Sequence, residues 1–323
     1  MSELVFEAVD YGEPGSAAWA ARARNLWPST VRSWADDSTW IPERQAEAMR
    51  EFAEHLPELL PVLERLAGAV DEPGAAAFLT QLTFKNPFIV SCSQSSVAGA
   101  LVRNYDFDPA MCERIIARTQ YLRPVIGVND ALWGMLDGMN DAGLAVSLTF
   151  GGRFVHGPGM CIAMVVRYLL ETCDTVDEAW RRLQAIPVAT AQNLTLVDGE
   201  RAMSVHVGPD IAPIQADEVC VTNHQVEPVT MEYEQDSHTL QRLAAVRAAT
   251  AAASDAEDPA EQVVQALLRP PLHKADLTSG LGTLYTAAYR PAEGRVSYHW
   301  PGGQRWEQSF GAFRPGRRRV TTG

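Results

Sequence analysis

The chain has 323 residues, 46% hydrophobic and 21% charged, with neither Gly nor Pro extreme, so it can bury a full core and long disordered stretches are excluded. Its net charge is -13 and its pI is near 5.0. Such an acidic surface repels phosphate, which argues against nucleic acid or an anionic membrane as a partner; the basic run Arg317 to Arg319 reads as a short solvated tail.

The first residues, MSELVFEAVDYGEPG, lack the basic start and apolar stretch of a signal peptide, and no apolar run reaches the roughly 18 residues of a membrane span. A cytoplasmic protein is expected. Residues 1 to about 85 read mostly as helix. Ser16 to Arg24 is Ala-rich, and Pro42 to Leu66 carries apolar residues at helical spacing, interrupted at Pro57 and Pro61. Asp71 to Gly74 reads as a turn. From Phe88 the texture changes to strand. Phe88-Ile89-Val90 leads into Cys92, and a turn near Ser95 to Gly99 makes 88–105 a hairpin. Further strands are expected at Trp133 to Leu136, Leu144 to Phe150, Leu194 to Val197, Met203 to Val207 and Val219 to Thr222. Leu284 to Tyr289 and Val296 to Trp300 form a second hairpin. Helices are expected in pairs, Met160 to Glu171 with Val176 to Ala185, and Thr239 to Ala252 with Ala260 to Leu268. Paired helices between groups of strands suit helical layers on mainly antiparallel sheets, an α+β protein, better than strict βαβ alternation. The stretches 107–135 and 150–160 are expected as loops that line a substrate pocket.

Five cysteines stand at 92, 112, 161, 173 and 220, with no CxxC pair. Neither a zinc cage nor a disulfide framework is indicated, so thiols are free. Cys112, Cys161, Cys173 and Cys220 read as core or incidental. Four short elements carry chemistry: Ser91-Cys92-Ser93, Arg103-Asn104-Tyr105-Asp106, Gly138 to Leu144, and Val221-Thr222-Asn223-His224. Each is weak alone. Asn140 to Gly143 is most simply a turn, with Gly143 supplying positive φ.

In order and spacing, with the Thr283-to-Trp300 hairpin behind them, these elements resemble the choloylglycine hydrolase and penicillin V acylase superfamily of N-terminal-nucleophile (Ntn) hydrolases. The branch they resemble best is the isopenicillin-N (acyl-CoA:6-aminopenicillanate) acyltransferases, which also carry a helical stretch before the nucleophilic cysteine. The resemblance covers roughly Phe88 to Phe310. It implies a four-layer αββα sandwich, two antiparallel sheets face to face with helices outside. It also implies a cut between Ser91 and Cys92, leaving 1–91 as a small helical subunit that stays bound and 92–323 as the catalytic part.

The chemistry is consistent with these residue types. A cysteine at a chain start carries its own base: the α-amine titrates near pH 8 and the thiol near 8.5, so the amine can take the thiol proton. Inside a chain that nitrogen is an amide and no base. By resemblance the thiol first attacks the Ser91 carbonyl, and hydrolysis of the thioester then frees the amine. Arg103 favours thiolate over thiol. Asp106 orients the new α-ammonium, and Asn223 donates its amide to the oxyanion, a contact worth about 3 kcal/mol of barrier. Strand alternation puts Arg103 and Tyr105 on one face, with Asp106 reaching back. Where the bile-salt branch has a second asparagine, this chain has Thr149, whose hydroxyl is a candidate oxyanion or substrate contact. Tyr105, Phe150 and Phe154 line an acyl pocket or pack the core. His156 reads as a loop histidine.

The implied activity is amide hydrolysis or acyl transfer on a small linear amide through a Cys92 thioester, with no metal and no organic cofactor. An acyl-CoA enters only as co-substrate of a transferase. The partners expected are a small-molecule amide or acyl donor and the chain's own N-terminal fragment, without nucleic acid or membrane; a homo-oligomer stays open. Two alternatives compete. Relatives often carry glycine before the nucleophile, and Ser91 here motivates an uncleaved binding or structural protein. A papain-like enzyme would use a mid-chain Cys92 with His224 as base.

Overall fold

A computed structural model describes residues 3–85, 91–225, 228–278 and 281–322. The chain opens on a strand, β1 (Glu3–Gly12), followed by α1 (Ala17–Leu26), α2 (Arg32–Trp34), α3 (Pro42–His55), α4 (Leu60–Val70) and α5 (Ala75–Leu79). A run of strands then begins with β2 (Ser91–Val97) and β3 (Ala100–Phe107). It continues through β4 (Ile115–Gln120), β5 (Pro124–Asp130), β6 (Gly134–Asn140) and β7 (Ala145–Phe150). Helices α6 (Ile162–Thr172) and α7 (Val176–Leu183) precede β8 (Gln192–Val197), β9 (Ala202–Gly208) and β10 (Ile211–Gln215). Helices α8 (Met231–Ser237), α9 (Thr239–Ala252) and α10 (Pro259–Leu267) lead into β11 (Gly282–Arg290), β12 (Arg295–Trp300), β13 (Gln304–Ser309) and β14 (Gly316–Thr321).

The strands form two sheets. One has nine strands in the order β10-β9-β8-β7-β6-β5-β4-β1-β14, the other five in the order β13-β12-β11-β3-β2. Helices α6 and α7 cover the large sheet, α9 and α10 cover the small one, and β2 and β3 face β7 and β8 between them. This is the expected α+β sandwich. Every ladder pair is antiparallel except β1 with β4, which runs parallel.

The N-terminal segment departs from the helical reading at its start. In β1, Leu4, Phe6 and Ala8 are buried and Glu3, Val5 and Glu7 are not, the period-2 pattern of a strand with one face on the core. Phe6 packs against Tyr285 and Trp300 of the small sheet, with ring centroids 5.9 and 5.1 Å away. The helices that follow match their expected positions. Ser16 caps α1, Pro57 opens a 3₁₀ turn, and Pro61 sits in the first turn of α4, where its missing N–H costs nothing. Two indole groups tie them to the large sheet: Trp19 Nε1 donates to Leu132 O at 3.0 Å, and Trp133 Nε1 donates to Leu79 O at 2.7 Å.

The hairpin turns at Ala98-Gly99, both at positive φ and within the expected stretch, while Phe88 to Val90 lie outside the described residues. Two other expectations change. The 107–135 stretch is not a loop but chiefly β4 and β5, whose buried Ile115, Ile116, Val125, Ile126 and Val128 belong to the core. Val219 to Thr222 forms no ladder strand; it touches the small sheet through one antiparallel bridge, Gln94 with Val221. Among the described residues no helix is long and apolar enough to cross a membrane.

Because Phe6 fills a fully enclosed site, Phe6→Ala is expected to cost about 3–5 kcal/mol, read as a lowered urea midpoint at unchanged m-value. An N-terminal strand only loosely attached would leave the midpoint where it was.

Candidate active site

The β2–β3 hairpin sets the geometry. Its register pairs Cys92 with Tyr105, Gln94 with Arg103, Ser91 with Asp106 and Ser93 with Asn104. Paired residues share a face, so Cys92, Gln94, Arg103 and Tyr105 look into the space between the sheets, while Ser91, Ser93, Asn104 and Asp106 look toward α9 and α10. All eight are buried.

On the inner face Arg103 spans the two sheets. Its Nη2 lies 3.3 Å from Cys92 Sγ, and its Nη1 donates to Asp137 Oδ2 of β6 at 2.8 Å and to Leu136 O at 3.2 Å. Asp137 also accepts from Tyr285 OH at 2.5 Å and from Tyr289 OH. The guanidinium carbon sits 4.8 Å from the Tyr105 ring centroid and 5.9 Å from that of Tyr285. Burial opposes its charge, but the Tyr285, Asp137 and Cys92 groups around it outweigh burial and hold Arg103 firmly protonated. Burial likewise pushes the Cys92 thiol up; Arg103 opposes that push, and Asp106 adds to it.

On the outer face Asp106 accepts from Ser91 Oγ at 3.1 Å and from Thr283 Oγ1 at 2.7 Å. Burial raises its pKa, with Arg242 as the main opposing charge. Asn223 closes the group from the far side. Its Oδ1 accepts from the Cys92 backbone nitrogen at 2.6 Å, and its Nδ2 donates to Phe150 O at 3.0 Å, leaving a second N–H. Its own backbone is held at both ends, N–H to Thr239 Oγ1 at 2.9 Å and C=O from Tyr233 OH at 2.8 Å. Gly152 lets this segment approach: at φ +78 any Cβ there would lie 2.4 Å from Asn223 O.

Thr149 is tied to the segment that carries Asn223. Its hydroxyl donates to Thr222 O at 3.1 Å and accepts from Asn193 Nδ2 at 3.2 Å, so its proton supports the loop carrying Asn223. Tyr105 is enclosed beneath Arg103 and stacks on Tyr285 at 5.4 Å. His224 faces the Thr239 and Thr222 hydroxyls, 2.9 and 3.4 Å from its Nδ1. Phe150 is buried, while Phe154 is 60% exposed and stands 6.3 Å from Tyr233.

Two charged residues escape the sequence reading. Arg242 of α9 donates through Nη1 to Cys92 O and to Ser93 Oγ (2.9 Å), and through Nη2 to Asn223 Oδ1 (2.7 Å). It is fully buried, and burial depresses its pKa. The signal for it is positional: in α9 the buried residues are Thr239, Arg242, Leu243 and Val246, an i, i+3, i+4, i+7 stripe that includes an arginine. Asp137 is the other, a carboxylate inside the buried strand Met135-Leu136-Asp137-Gly138-Met139. Gln94 adds a third polar group on the Cys92 face. Its Oε1 accepts from Ser147 of the opposing sheet, and its Nε2 has no partner among the described residues.

A family model described as Acyl-coenzyme A:6-aminopenicillanic acid acyl-transferase matches residues 92–305, beginning at the cysteine itself. No curated protein sequence matches significantly. Among solved structures, a mutant of conjugated bile acid hydrolase from Clostridium perfringens superposes with a TM-score of 0.50 at 11% identity, over 72% of this chain and 98% of that one. Penicillin V acylase from Agrobacterium tumefaciens gives 0.42 at 14% identity, over 68% and 86%. The Caenorhabditis elegans ortholog of N-acylethanolamine-hydrolyzing acid amidase gives 0.44 at 14%, over 67% and 98%. The first of these likenesses supports a shared fold.

Thiolate is the reactive form of cysteine, so removing the cation beside it moves reactivity to higher pH. Arg103→Met leaves Asp137 its two tyrosine donors. The rising limb of Cys92 modification by methyl methanethiosulfonate, followed by peptide mass, is expected to shift upward by about one pH unit, a tenfold loss at pH 8. A profile identical to wild type would separate Arg103 from the sulfur's ionisation.

Proposed function

Since the chain belongs to the acyl-coenzyme A:6-aminopenicillanic acid acyltransferase family, we propose that it is an autoprocessing Ntn amidohydrolase or N-acyltransferase that works through a thioester on Cys92. The observation that carries this reading is the environment of residue 92. Its sulfur is 3.3 Å from the Arg103 guanidinium while its nitrogen is already held, at 2.6 Å, by Asn223 Oδ1. Both atoms that the chemistry needs sit on one residue, each with a fixed partner.

In the maturation step the Cys92 sulfur attacks the Ser91 carbonyl carbon. The Ser91–Cys92 C–N bond breaks, the nitrogen takes the proton, and a Ser91 thioester forms on sulfur. Water then cleaves the thioester, leaving a Ser91 carboxylate, a free thiol and an α-amine. Asp106, bridged to Ser91 Oγ and close to the charge of Arg242, is placed to stabilise the new ammonium. Residues 1–91 then become a separate chain and 92–323 the catalytic one.

In turnover the α-amine takes the thiol proton and the sulfur attacks the substrate carbonyl. The departing amine receives that proton, and the acyl group stays on sulfur. Water or a second amine, deprotonated by the same α-amine, takes the acyl group and restores the thiol. The remaining Asn223 N–H and Gln94 Nε2, which has no partner among the described residues, are the candidate donors to the developing oxyanion. Arg242 fixes the Cys92 carbonyl and the Asn223 amide and so sets both angles. No step calls on a metal or an organic cofactor, and an acyl-CoA would serve only as the acyl donor of a transferase.

Two measurements test this. Mass spectrometry of the purified chain is expected to show a fragment starting at Cys92 in place of the intact 35.3 kDa species, with Cys92→Ala remaining at 35.3 kDa and Asp106→Ala cleaved slowly or not at all. A wild-type chain that stays intact on prolonged incubation would favour the inert binding protein. On the processed enzyme, Asn223→Ala and Gln94→Leu are each expected to lower kcat by about 10²–10³-fold with little change in KM. Thr149→Val is expected to cost less than about tenfold, because Asn193 still bonds Thr222 O at 2.8 Å.

A further inference from the structure

A cavity of about 500 Å³ lies between the N-terminal helices and the loop leading into α6. None of Cys92, Asp106, Asn223 or Arg242 lines it, and its walls come from both sides of residue 92. Helix α3 contributes Arg44, Glu47 and Glu51, and the turn after α5 contributes Gln81 and Phe84; the large sheet contributes Asp130 and Gln192.

Two of its buried polar atoms are acceptors without a donor among the described residues. Gln81 and Gln192 are each 3% exposed, and the Oε1 of each has no partner among the described residues. Their amide nitrogens are engaged elsewhere, Gln81 with Ala131 O at 3.4 Å and Gln192 with Thr190 Oγ1 at 3.1 Å. Asp130 is partly buried and has no ion pair among the described residues; burial and the Glu113 carboxylate push it up to about 7. Gly134 leaves room for the Gln81 side chain, since a Cβ there would meet Gln81 Nε2 at 2.7 Å. The cation in the wall, Arg44, is already matched by Glu47 at 2.9 Å, Glu51 at 3.1 Å and Leu82 O at 3.0 Å. Buried acceptors are satisfied in nearly all native proteins, so two unanswered amide oxygens around one cavity, beside a carboxylate held only by the Ala131 backbone N–H and facing no cation among the described residues, call for a ligand that brings donors.

The cavity is linked to Cys92 through Arg103. Leu136, in its wall, gives its carbonyl to the same guanidinium that touches Cys92. Tyr105, beneath that guanidinium, lies within electrostatic reach of both Cys92 and Asp130.

We propose that this cavity binds a small organic molecule with an ammonium head and an apolar body. The head lies against Asp130 and Gln81, with Gln192 as a further acceptor, and the body lies along Phe84, Leu136, Leu148 and Ile162. Such an ammonium belongs either to a free amine or to one end of an amide processed at Cys92; only the second case rests on the thioester reading.

The test is calorimetry on the full chain with three probes of similar shape. 2-Phenylethylammonium is expected to bind saturably, 2-phenylethanol at least tenfold more weakly, and 3-phenylpropanoate not at all. Asp130→Asn is expected to weaken the ammonium probe at least tenfold without lowering the melting temperature, because it removes a carboxylate that no cation matches. Three probes that bind alike, an ammonium probe that does not bind, or an affinity unchanged in Asp130→Asn would each overturn the proposal. A second arm assigns the source by comparing 6-aminohexanoyl and hexanoyl p-nitroanilides. A rate preference of tenfold or more for the amino compound, lost in Asp130→Asn, puts the ammonium on the substrate. Equal rates with amine binding intact put it on a free ligand. Amine binding without turnover of either anilide counts against the Cys92 reading and leaves the cavity assignment standing.

Discussion

The candidate site depends on one buried charge. Arg103 is carried on the small sheet, and its counter-ion Asp137 on the large one. Removing a cation from water costs several kcal/mol, and a lone carboxylate only partly offsets that. Here the two tyrosine hydroxyls on Asp137 and the two rings flanking the guanidinium supply the rest. The pair therefore fixes the spacing and register of the sheets at the point where Cys92 stands. A slip of either sheet would leave a charge in the core without its partner, so the alignment of sulfur and guanidinium is tied to the stability of the sandwich itself.

A second cation addresses the same residue from the other side. Arg242 has no ion pair among the described residues; it is held by the Ser237 and Cys92 carbonyls, the Ser93 hydroxyl and the Asn223 amide. The inner arginine faces the sulfur, and the outer one faces the backbone. Between them the nitrogen of residue 92 is left to Asn223. Thr149, Asn193 and His206 form a hydrogen-bonded chain behind the Asn223 loop, His206 Nδ1 lying 2.8 Å from Asn193 Oδ1. The loop forms no sheet ladder of its own, which explains why so many side chains are committed to it.

Much of the sandwich is legible in the sequence, for identifiable reasons. The paired helices α6–α7 and α9–α10 carry caps and apolar stripes, and the hairpin around Pro291 to Gly294 has its turn residues in place. Cys92, Arg103, Asp106 and Asn223 lie together in space. Three kinds of feature stay hidden. Strand β1 is masked by its neighbours, because a single alternating run before an Ala-rich helix is a weak signal, although Leu4, Phe6 and Ala8 do alternate. Strands β4 and β5 read as loops because their burial depends on a sheet assembled from distant segments. Arg242 and Asp137 stand at core positions of a helix and a strand, where a charge is unexpected unless something across the interface answers it, and sequence order does not reveal what lies across.

The place of β1 bears on what a cut before Cys92 does to the molecule. That strand is not at an edge: it lies between β4 and β14, with the C-terminal β14 reached only through it. After such a cut, losing the N-terminal piece would leave β14 without its strand partner, so the two pieces would stay interlocked although no longer covalently joined. Such a cut would change the order of the folding reaction. An intact chain finds this arrangement in a first-order process indifferent to dilution, whereas two separated pieces must meet again. Once unfolded, the mature form would recover at a rate that falls as the solution is diluted.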